Sequence, residues 1–167
     1  MTFSLLPDWV TKELTDLTPQ FLRSNGIRLL MMDFDNTIVP YTTSIPTEKM
    51  TAWLADMVKS DVLLCVVSNS KKDRVKKFCA QYGINCITHA KKPGSRGIRK
   101  CLDRFGMVPS QAALVGDQIF TDTLGGIGAG VTTILVKAID NHNFWLKARH
   151  VLEKPFIFAA RNRRMKT

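Results

Sequence analysis

The sequence predicts an α/β fold with a mostly parallel central sheet covered by helices on both faces. Four short apolar runs are continuous rather than alternating, as expected of strands that are buried on both sides. Segments with helical features separate these runs, and such alternation is typical of parallel sheets with crossover helices. The predicted strands are Ile27–Asp33, Val62–Ser68, Ala112–Gly116 and Val131–Val136, with a weaker fifth at Ile84–Thr88.

Helices are predicted in three of the intervals between these strands. Thr47–Lys59 repeats apolar residues near helical spacing, and the segments Lys71–Tyr82 and Ser95–Phe105 are each followed by a glycine, Gly83 and Gly106. A glycine at this position is a common helix end, so all three segments are expected to lie on the faces of the sheet.

The length predicts one globular domain over residues 1–167, because it suffices for one hydrophobic core and not for two. Residues 1–26 are expected to flank this core as a helical segment of two short helices, the first capped by Asp8 and the second begun at Thr18. Residues 141–167 form a basic C-terminal segment that mixes aromatic and cationic side chains.

The formal net charge of +10 implies an anionic partner. Nucleic acid is not favoured, because few aromatic residues for base stacking are interleaved with the basic ones. No apolar run reaches the roughly 18 to 20 residues of a membrane span, and the N-terminus lacks the basic start of a signal peptide. A cytoplasmic location is therefore expected, with peripheral attachment to the cytoplasmic membrane face left open. The basic clusters are Lys71–Lys77, Lys91–Arg104 and Arg161–Lys166.

Two carboxylates stand at the end of the first predicted strand, where ligands bind in open parallel sheets. Asp33 and Asp35 are two residues apart, so both side chains can face one site. Like charges held close together repel, and Mg²⁺ would relieve that repulsion while keeping positions for water and phosphoryl oxygens. The pair therefore predicts a magnesium site beside a phosphate substrate.

The other strand ends carry anion-binding and acidic residues. Ser68 and Asn69 precede a basic helix and predict a phosphate cradle, although such a pair is also an ordinary helix cap. Lys92 follows the fifth strand, and Asp117 and Asp122 follow the run that ends at Gly116. Acids, a hydroxyl and an amine that follow successive strands in this order form a pattern specific enough to compare with known families.

This pattern resembles motifs I to IV of the haloacid dehalogenase (HAD) phosphatases. The likeness covers roughly residues 27–136, and the compact spacing and a Lys-Pro pair are similar to the YqeG-type proteins of subclass IIIA. It implies a Rossmann-like three-layer fold without a cap domain, the C0 type. The matching motifs are Asp33-x-Asp35-x-Thr37, Ser68, Lys92 and Gly116-Asp117-x-x-x-Thr121-Asp122.

The resemblance also implies a role for each site residue. Asp33 would be the covalent nucleophile, and Asp35 would act as general acid and then as general base. Mg²⁺ would be held by the carboxylates of Asp33 and Asp117 and the backbone carbonyl of Asp35, while Asp122 would orient the metal's waters or Lys92. The residues expected to bind phosphate are Thr37, Ser68, Asn69 and Lys92.

The spacing of the motifs bears on the substrate. Thr37–Ser68 and Asn69–Lys92 each fit one helix and one strand, so an open site is expected that a large substrate or a neighbouring subunit would cover. The resemblance implies an anionic phospholipid as partner, with phosphatidylglycerophosphate converted to phosphatidylglycerol at a membrane surface. A soluble phosphosugar or nucleotide phosphatase closed by oligomerisation, a nucleic-acid end phosphatase and a phosphate-binding non-enzyme stay open as alternatives.

Overall fold

A computed structural model describes residues 5–140, 152–156 and 158–159. Between residues 5 and 140 the chain forms six strands and five α-helices, numbered along the sequence. The strands are β1 (Trp9–Thr11), β2 (Leu29–Met32), β3 (Leu63–Val67), β4 (Asn85–Ile87), β5 (Ala112–Gly116) and β6 (Thr132–Val136). The helices are α1 (Pro19–Ser24), α2 (Glu48–Lys59), α3 (Asp73–Tyr82), α4 (Arg96–Phe105) and α5 (Leu124–Ala129).

The strands form one sheet in the order β1-β6-β5-β2-β3-β4, and every neighbouring pair is parallel. The predicted α/β class is therefore confirmed. Strands β2 and β5 are adjacent at the centre, and the chain leaves β2 toward β3 on the side away from β5. Ligands bind at the carboxyl edge of such sheets where the strand order changes direction, which is the edge that carries the predicted site residues.

The central strands are apolar throughout because helices cover both of their faces. In β2, Leu30 and Met32 join a core cluster with residues of α1, α2 and α3, whereas Leu29 and Met31 join a second cluster with residues of α4 and α5. Successive side chains of a strand point to opposite faces, so a continuous apolar run is what a three-layer arrangement requires.

The helix ends follow the signals in the sequence. The Thr47 hydroxyl accepts a hydrogen bond from the backbone N–H of Met50 and begins α2. Gly83 and Gly106 end α3 and α4 with φ values of +67° and +61°, a left-handed conformation that glycine adopts without strain. These predicted boundaries are confirmed to within two residues.

The N-terminal segment differs from the prediction of two short helices within residues 1–26. Trp9–Thr11 is the edge strand β1, paired with β6, and only a 3₁₀ turn at Leu14–Asp16 follows it. Asp8 caps no helix, because its carboxylate accepts hydrogen bonds from the backbone N–H and hydroxyl of Thr133, at 2.8 and 3.0 Å. The second predicted helix is confirmed as α1, with Thr18 as its N-cap.

Most of the predicted basic segment, residues 141–167, lies outside the described residues. Residues 152–156 are helical, and the buried Glu153 carboxylate accepts hydrogen bonds from the backbone N–H groups of Ile119 and Phe120, at 3.0 and 3.3 Å. The rings of Phe120 and Phe156 meet edge to face. The described end of the chain is thereby tied to the segment that follows β5.

The chain between β2 and β5 contains α2, β3, α3, β4, α4 and their connections, and no further domain. The absence of a cap domain agrees with the motif spacing, and it leaves the carboxyl edge of the sheet uncovered on this part of the chain. Within the described helices, none combines the length and the apolar character needed to cross a bilayer.

Candidate active site

Three carboxylates meet at the carboxyl edge of the sheet. Asp33, Asp117 and Asp122 each offer an oxygen atom, and these oxygens lie within 4.8 Å of one another. Asp33 follows β2, and its backbone N–H donates to the carbonyl of Val115 at 2.9 Å, which extends the contact between β2 and β5 to the site itself. Acids from two parts of the sequence, one following β2 and two following β5, are thus gathered around one point.

Asp122 lies on a single π-helical turn, Ile119–Thr123, that joins β5 to α5. Its side chain reaches back over Gly116, where an added Cβ would stand 2.2 Å from the carboxyl group. One oxygen of Asp122 accepts a hydrogen bond from the backbone N–H of Gln118 at 3.2 Å. A glycine at the end of β5 is therefore needed for Asp122 to approach the other two acids.

Lys92 supplies the cation of this cluster. Its side chain is 1% exposed, and its Nζ lies 2.8 Å from Asp33 Oδ1 and 2.6 Å from Asp122 Oδ1. Asn69 holds the backbone of Lys92 from both sides, because its side-chain amide donates to the Lys92 carbonyl and accepts from the Lys92 N–H, at 2.9 and 2.7 Å. Lys92 is thereby fixed at both ends.

The electrostatics of the cluster follow from its burial. Burial raises the pKa of Asp117 well above the usual aspartate range, and the negative charges of Asp33 and Asp122 raise it further. Burial likewise raises the pKa of Asp122 to about 6, although the ammonium of Lys92 opposes the change. Burial alone would lower the pKa of Lys92, but the carboxylates of Asp122 and Asp33 outweigh it and raise that pKa. Burial therefore favours the protonated forms of Asp117 and Asp122 in spite of the nearby ammonium of Lys92.

The carboxylate of Asp35 lies in the same cleft but binds a different cation. Its Oδ1 is 2.6 Å from the Arg74 guanidinium, which also donates to the carbonyls of Tyr41 and Thr43, at 2.8 and 3.2 Å. The guanidinium carbon is 5.0 Å from the centre of the Phe34 ring. Burial raises the pKa of Asp35, and the charge of Arg74 partly offsets that increase.

Arg74 is a site residue that the sequence interpretation missed. It stands in a run of basic residues at the start of α3, and the sequence analysis assigned that run only to contact with an anionic partner. Its buried Nε has no hydrogen-bond partner within the described residues. The only sequence signal was its place shortly after the end of β3, which is too general to single it out from the neighbouring lysines.

The predicted phosphate-binding residues differ in their placement. Ser68 and Lys92 line an open cleft of about 410 Å³ together with Asp33, Asp35 and Asp122. Asn69 also lines the cleft, with its amide engaged by the backbone of Lys92. Thr37 is buried and does not line this cleft, and its hydroxyl is 3.5 Å from an oxygen of Asp117. In this arrangement Thr37 contacts an acid of the cluster.

The fold is similar to that of HAD-superfamily hydrolases of known structure. A HAD-superfamily hydrolase of subfamily IA from Geobacter sulfurreducens superposes with a TM-score of 0.54 at 16% identity, over 68% of this chain and 91% of that one. The sequence pattern of the mitochondrial PGP phosphatase family matches residues 2–139, and the chain belongs to that family.

Two relatives are similar in sequence. The protein named "Probable phosphatase YqeG" from Bacillus subtilis is 31% identical over 131 residues, which are 78% of this chain and 76% of the relative. The chloroplastic and mitochondrial phosphatidylglycerophosphate phosphatase 1 of Arabidopsis thaliana is 26% identical over 164 residues, 92% of this chain and 44% of that protein. The chain thus spans less than half of the Arabidopsis relative. The predicted YqeG-type resemblance is confirmed.

The contact between Gly116 and Asp122 gives a first prediction. Gly116→Ala should lower kcat/KM for phosphate release by about 100-fold, because the new methyl group displaces the Asp122 carboxylate from Lys92 and small misplacements in active sites have effects of this size. Gly128→Ala is the matched control, since its Cβ would meet only Ser95 Cβ at an ordinary 3.8 Å. Equal activity of the two variants would contradict this role of Gly116.

Proposed function

We propose that the protein is a magnesium-dependent phosphomonoester hydrolase that forms an aspartyl-phosphate on Asp33. The observation that carries the proposal is the contact of Lys92 with both Asp33 and Asp122 in an acidic cluster beside an open cleft. The ammonium group holds the carboxylate of Asp33 at the cleft, where it can attack phosphorus. Lys92 can also stabilise phosphoryl oxygens that gain negative charge in the transition state.

The acidic cluster fits a hard divalent cation. Its side chains offer only oxygen ligands, which Mg²⁺ prefers. A bound cation would also offset the burial and the negative charges of Asp33 and Asp122 that raise the pKa of Asp117. The carboxylates of Asp33 and Asp117 and the backbone carbonyl of Asp35 would hold the ion. Asp122 would orient the metal's waters or Lys92 and would not bind the ion directly, because its two oxygens already accept hydrogen bonds from Lys92 and the N–H of Gln118. Bound there, Mg²⁺ would shield the charge of Asp33 from the substrate and polarise a phosphoryl oxygen.

The reaction proceeds in two displacements on the side chain of Asp33. A carboxylate oxygen of Asp33 attacks phosphorus, the bond from phosphorus to the ester oxygen breaks, and Asp35 gives a proton to the departing alkoxide. Asp35 then takes a proton from a water that attacks the aspartyl-phosphate, which releases phosphate and restores Asp33. The raised pKa of Asp35 suits a group that must carry a proton in the first step.

Asp33→Asn tests the covalent mechanism. The amide is a poor nucleophile, so phosphate release in the presence of Mg²⁺ should fall by at least about 1,000-fold while the far-UV circular dichroism spectrum stays unchanged. Asp56→Asn, an exposed position on α2, is the matched control and should keep full activity. Turnover of Asp33→Asn within about tenfold of the parent chain would rule out a nucleophilic Asp33.

The raised carboxyl pKa values predict a pH dependence of metal binding. A carboxyl group whose pKa is higher in the folded state contributes stability at low pH, and this contribution is lost as the pH rises through the folded-state pKa. For Asp122 that interval runs from the ordinary value of 3.8 to about 6. Mg²⁺ competes with these protons, so its addition should raise the melting temperature more at about pH 7.5 than at about pH 4.5.

Asp117→Asn provides the control for the metal experiment, because it removes one proposed ligand and leaves the Lys92 contacts intact. Its Mg²⁺-dependent shift at about pH 7.5 should be clearly smaller than that of the parent chain. An equal Mg²⁺-dependent shift at both pH values in the parent chain would contradict a metal site made of these carboxylates.

For the substrate, we propose phosphatidylglycerophosphate presented at an anionic membrane surface. The family and the Arabidopsis relative support this choice, as does the net charge of +10. Three exposed apolar side chains that follow the carboxyl ends of strands also support it, because an uncapped site can receive a lipid headgroup directly from the bilayer. Their exposures are 49% for Tyr41, 77% for Ile45 and 46% for Ile139.

These side chains share one edge of the molecule. Tyr41 and Ile45 lie in the loop between β2 and α2, and Ile139 follows β6, so all three come after the carboxyl ends of strands. The backbone N–H of Ile139 donates to the carbonyl of Asn36 at 3.0 Å, which joins the two connections beside the site. An interface at this edge would bring lipid headgroups to the cleft that contains Asp33.

Ile45→Asn tests the proposed membrane contact. The variant should bind vesicles rich in anionic lipid about three- to tenfold more weakly in a sedimentation assay, because one apolar anchor is lost. Val108→Asn is the control, since Val108 is also exposed but precedes β5 at the opposite edge of the sheet. Binding by the parent chain should also weaken as salt is added. An equal loss of vesicle binding in the two variants would contradict docking through the carboxyl edge of the sheet.

A further inference from the structure

The active-site cleft contains more cationic side chains than the acidic cluster uses. Lys71, Lys72, Arg74 and Lys92 all line it. Lys92 is bound to Asp33 and Asp122, and Arg74 is bound to Asp35. Two of the four cations are therefore committed to the catalytic carboxylates.

The other two cations, Lys71 and Lys72, have no carboxylate within ion-pair distance in the part of the chain that the structure describes. Both residues are exposed at the start of α3, and the ammonium of Lys72 lies 5.7 Å from the centre of the Tyr41 ring. That contact holds its charge over the cleft. No side-chain hydrogen bond caps α3 at Lys72, so the helix end presents positive charge on the same side.

The position of these charges is set by Arg74. Its guanidinium contacts Asp35 and the carbonyls of Tyr41 and Thr43, so it joins the start of α3 to the loop after β2. Lys71 and Lys72, which are separated from Arg74 only by Asp73, are therefore held beside Asp35, on one side of the place where the phosphoryl group would react. A dianionic phosphate bound by Lys92 and the metal would leave the positive charges of Lys71 and Lys72 without a counter-charge.

We propose that Lys71 and Lys72, which line the cleft together with Arg74, form a second anion subsite that binds a phosphodiester of the substrate, one short linker away from the reacting phosphomonoester. This inference rests on the proposed function. Phosphatidylglycerophosphate has both groups, because one end of its glycerol carries the monoester and the other end carries the diester to diacylglycerol. The monoester would meet Asp33 and Lys92, and the diester would meet the two lysines.

The subsite makes the enzyme selective for the headgroup, apart from any contact with the acyl chains. A monoester without a neighbouring diester would leave two cations in the cleft without a partner, and it would bind more weakly. The charges act on binding more than on the chemical step, so the selectivity should appear mainly in KM.

The experiment compares two water-soluble compounds that lack acyl chains, deacylated phosphatidylglycerophosphate and glycerol 3-phosphate. Phosphate release is measured with Mg²⁺, and the ratio of kcat/KM for the two compounds is the readout. The parent chain should favour the diester-containing compound by at least about tenfold. The double variant Lys71→Ala/Lys72→Ala should lower this ratio by about tenfold through a higher KM, with kcat nearly constant.

The matched control is the double variant Lys76→Ala/Lys77→Ala, which removes two exposed lysines of the same helix that do not line the cleft. Its ratio should equal that of the parent chain. A parent ratio near one, or equal decreases in the two double variants, would overturn the subsite while leaving the phosphatase mechanism intact. Failure to release phosphate from either compound would instead contradict the proposed function.

Discussion

The buried ammonium group of Lys92 is the interaction on which the site depends. It lies between Asp33 and Asp122, which come from different segments of the chain and would repel each other without it. A buried charge is tolerable only when it is paired and hydrogen-bonded, and here both partners are acids that the proposed chemistry needs. The same contacts therefore hold the local structure and position the proposed nucleophile.

The surrounding residues make this arrangement geometrically feasible. Asn69 fixes the backbone of Lys92 with two hydrogen bonds, and Gly116 leaves the space into which Asp122 folds back. The parallel pairing of β2 with β5 brings Asp33 and Asp117 to one edge, since the carboxyl ends of parallel strands coincide. The sheet topology thus brings the acids close together, and a few local contacts fix the positions of their side chains.

The sequence predicted most of the sheet because buried parallel strands have a simple signature. β2, β3, β5 and β6 are continuous apolar runs, and the acids and the lysine after them are easily recognised. β1 was missed because Trp9–Thr11 is short and flanked by polar residues, and it becomes a strand only through pairing with β6, more than a hundred residues later. Arg74 was missed for a similar reason, since only the folded chain distinguishes it from the lysines around it.

Glu153 links the far end of the described chain to the catalytic edge. Its carboxylate accepts the N–H groups of Ile119 and Phe120, which begin the π-helical turn that carries Asp122. A shortened protein ending before residue 152 would leave those two amides inside the molecule without an acceptor, and the turn would lose its support. The helix at residues 152–156 accordingly stabilises the turn that positions Asp122 in the acidic cluster. The folded unit therefore includes residues that follow β6.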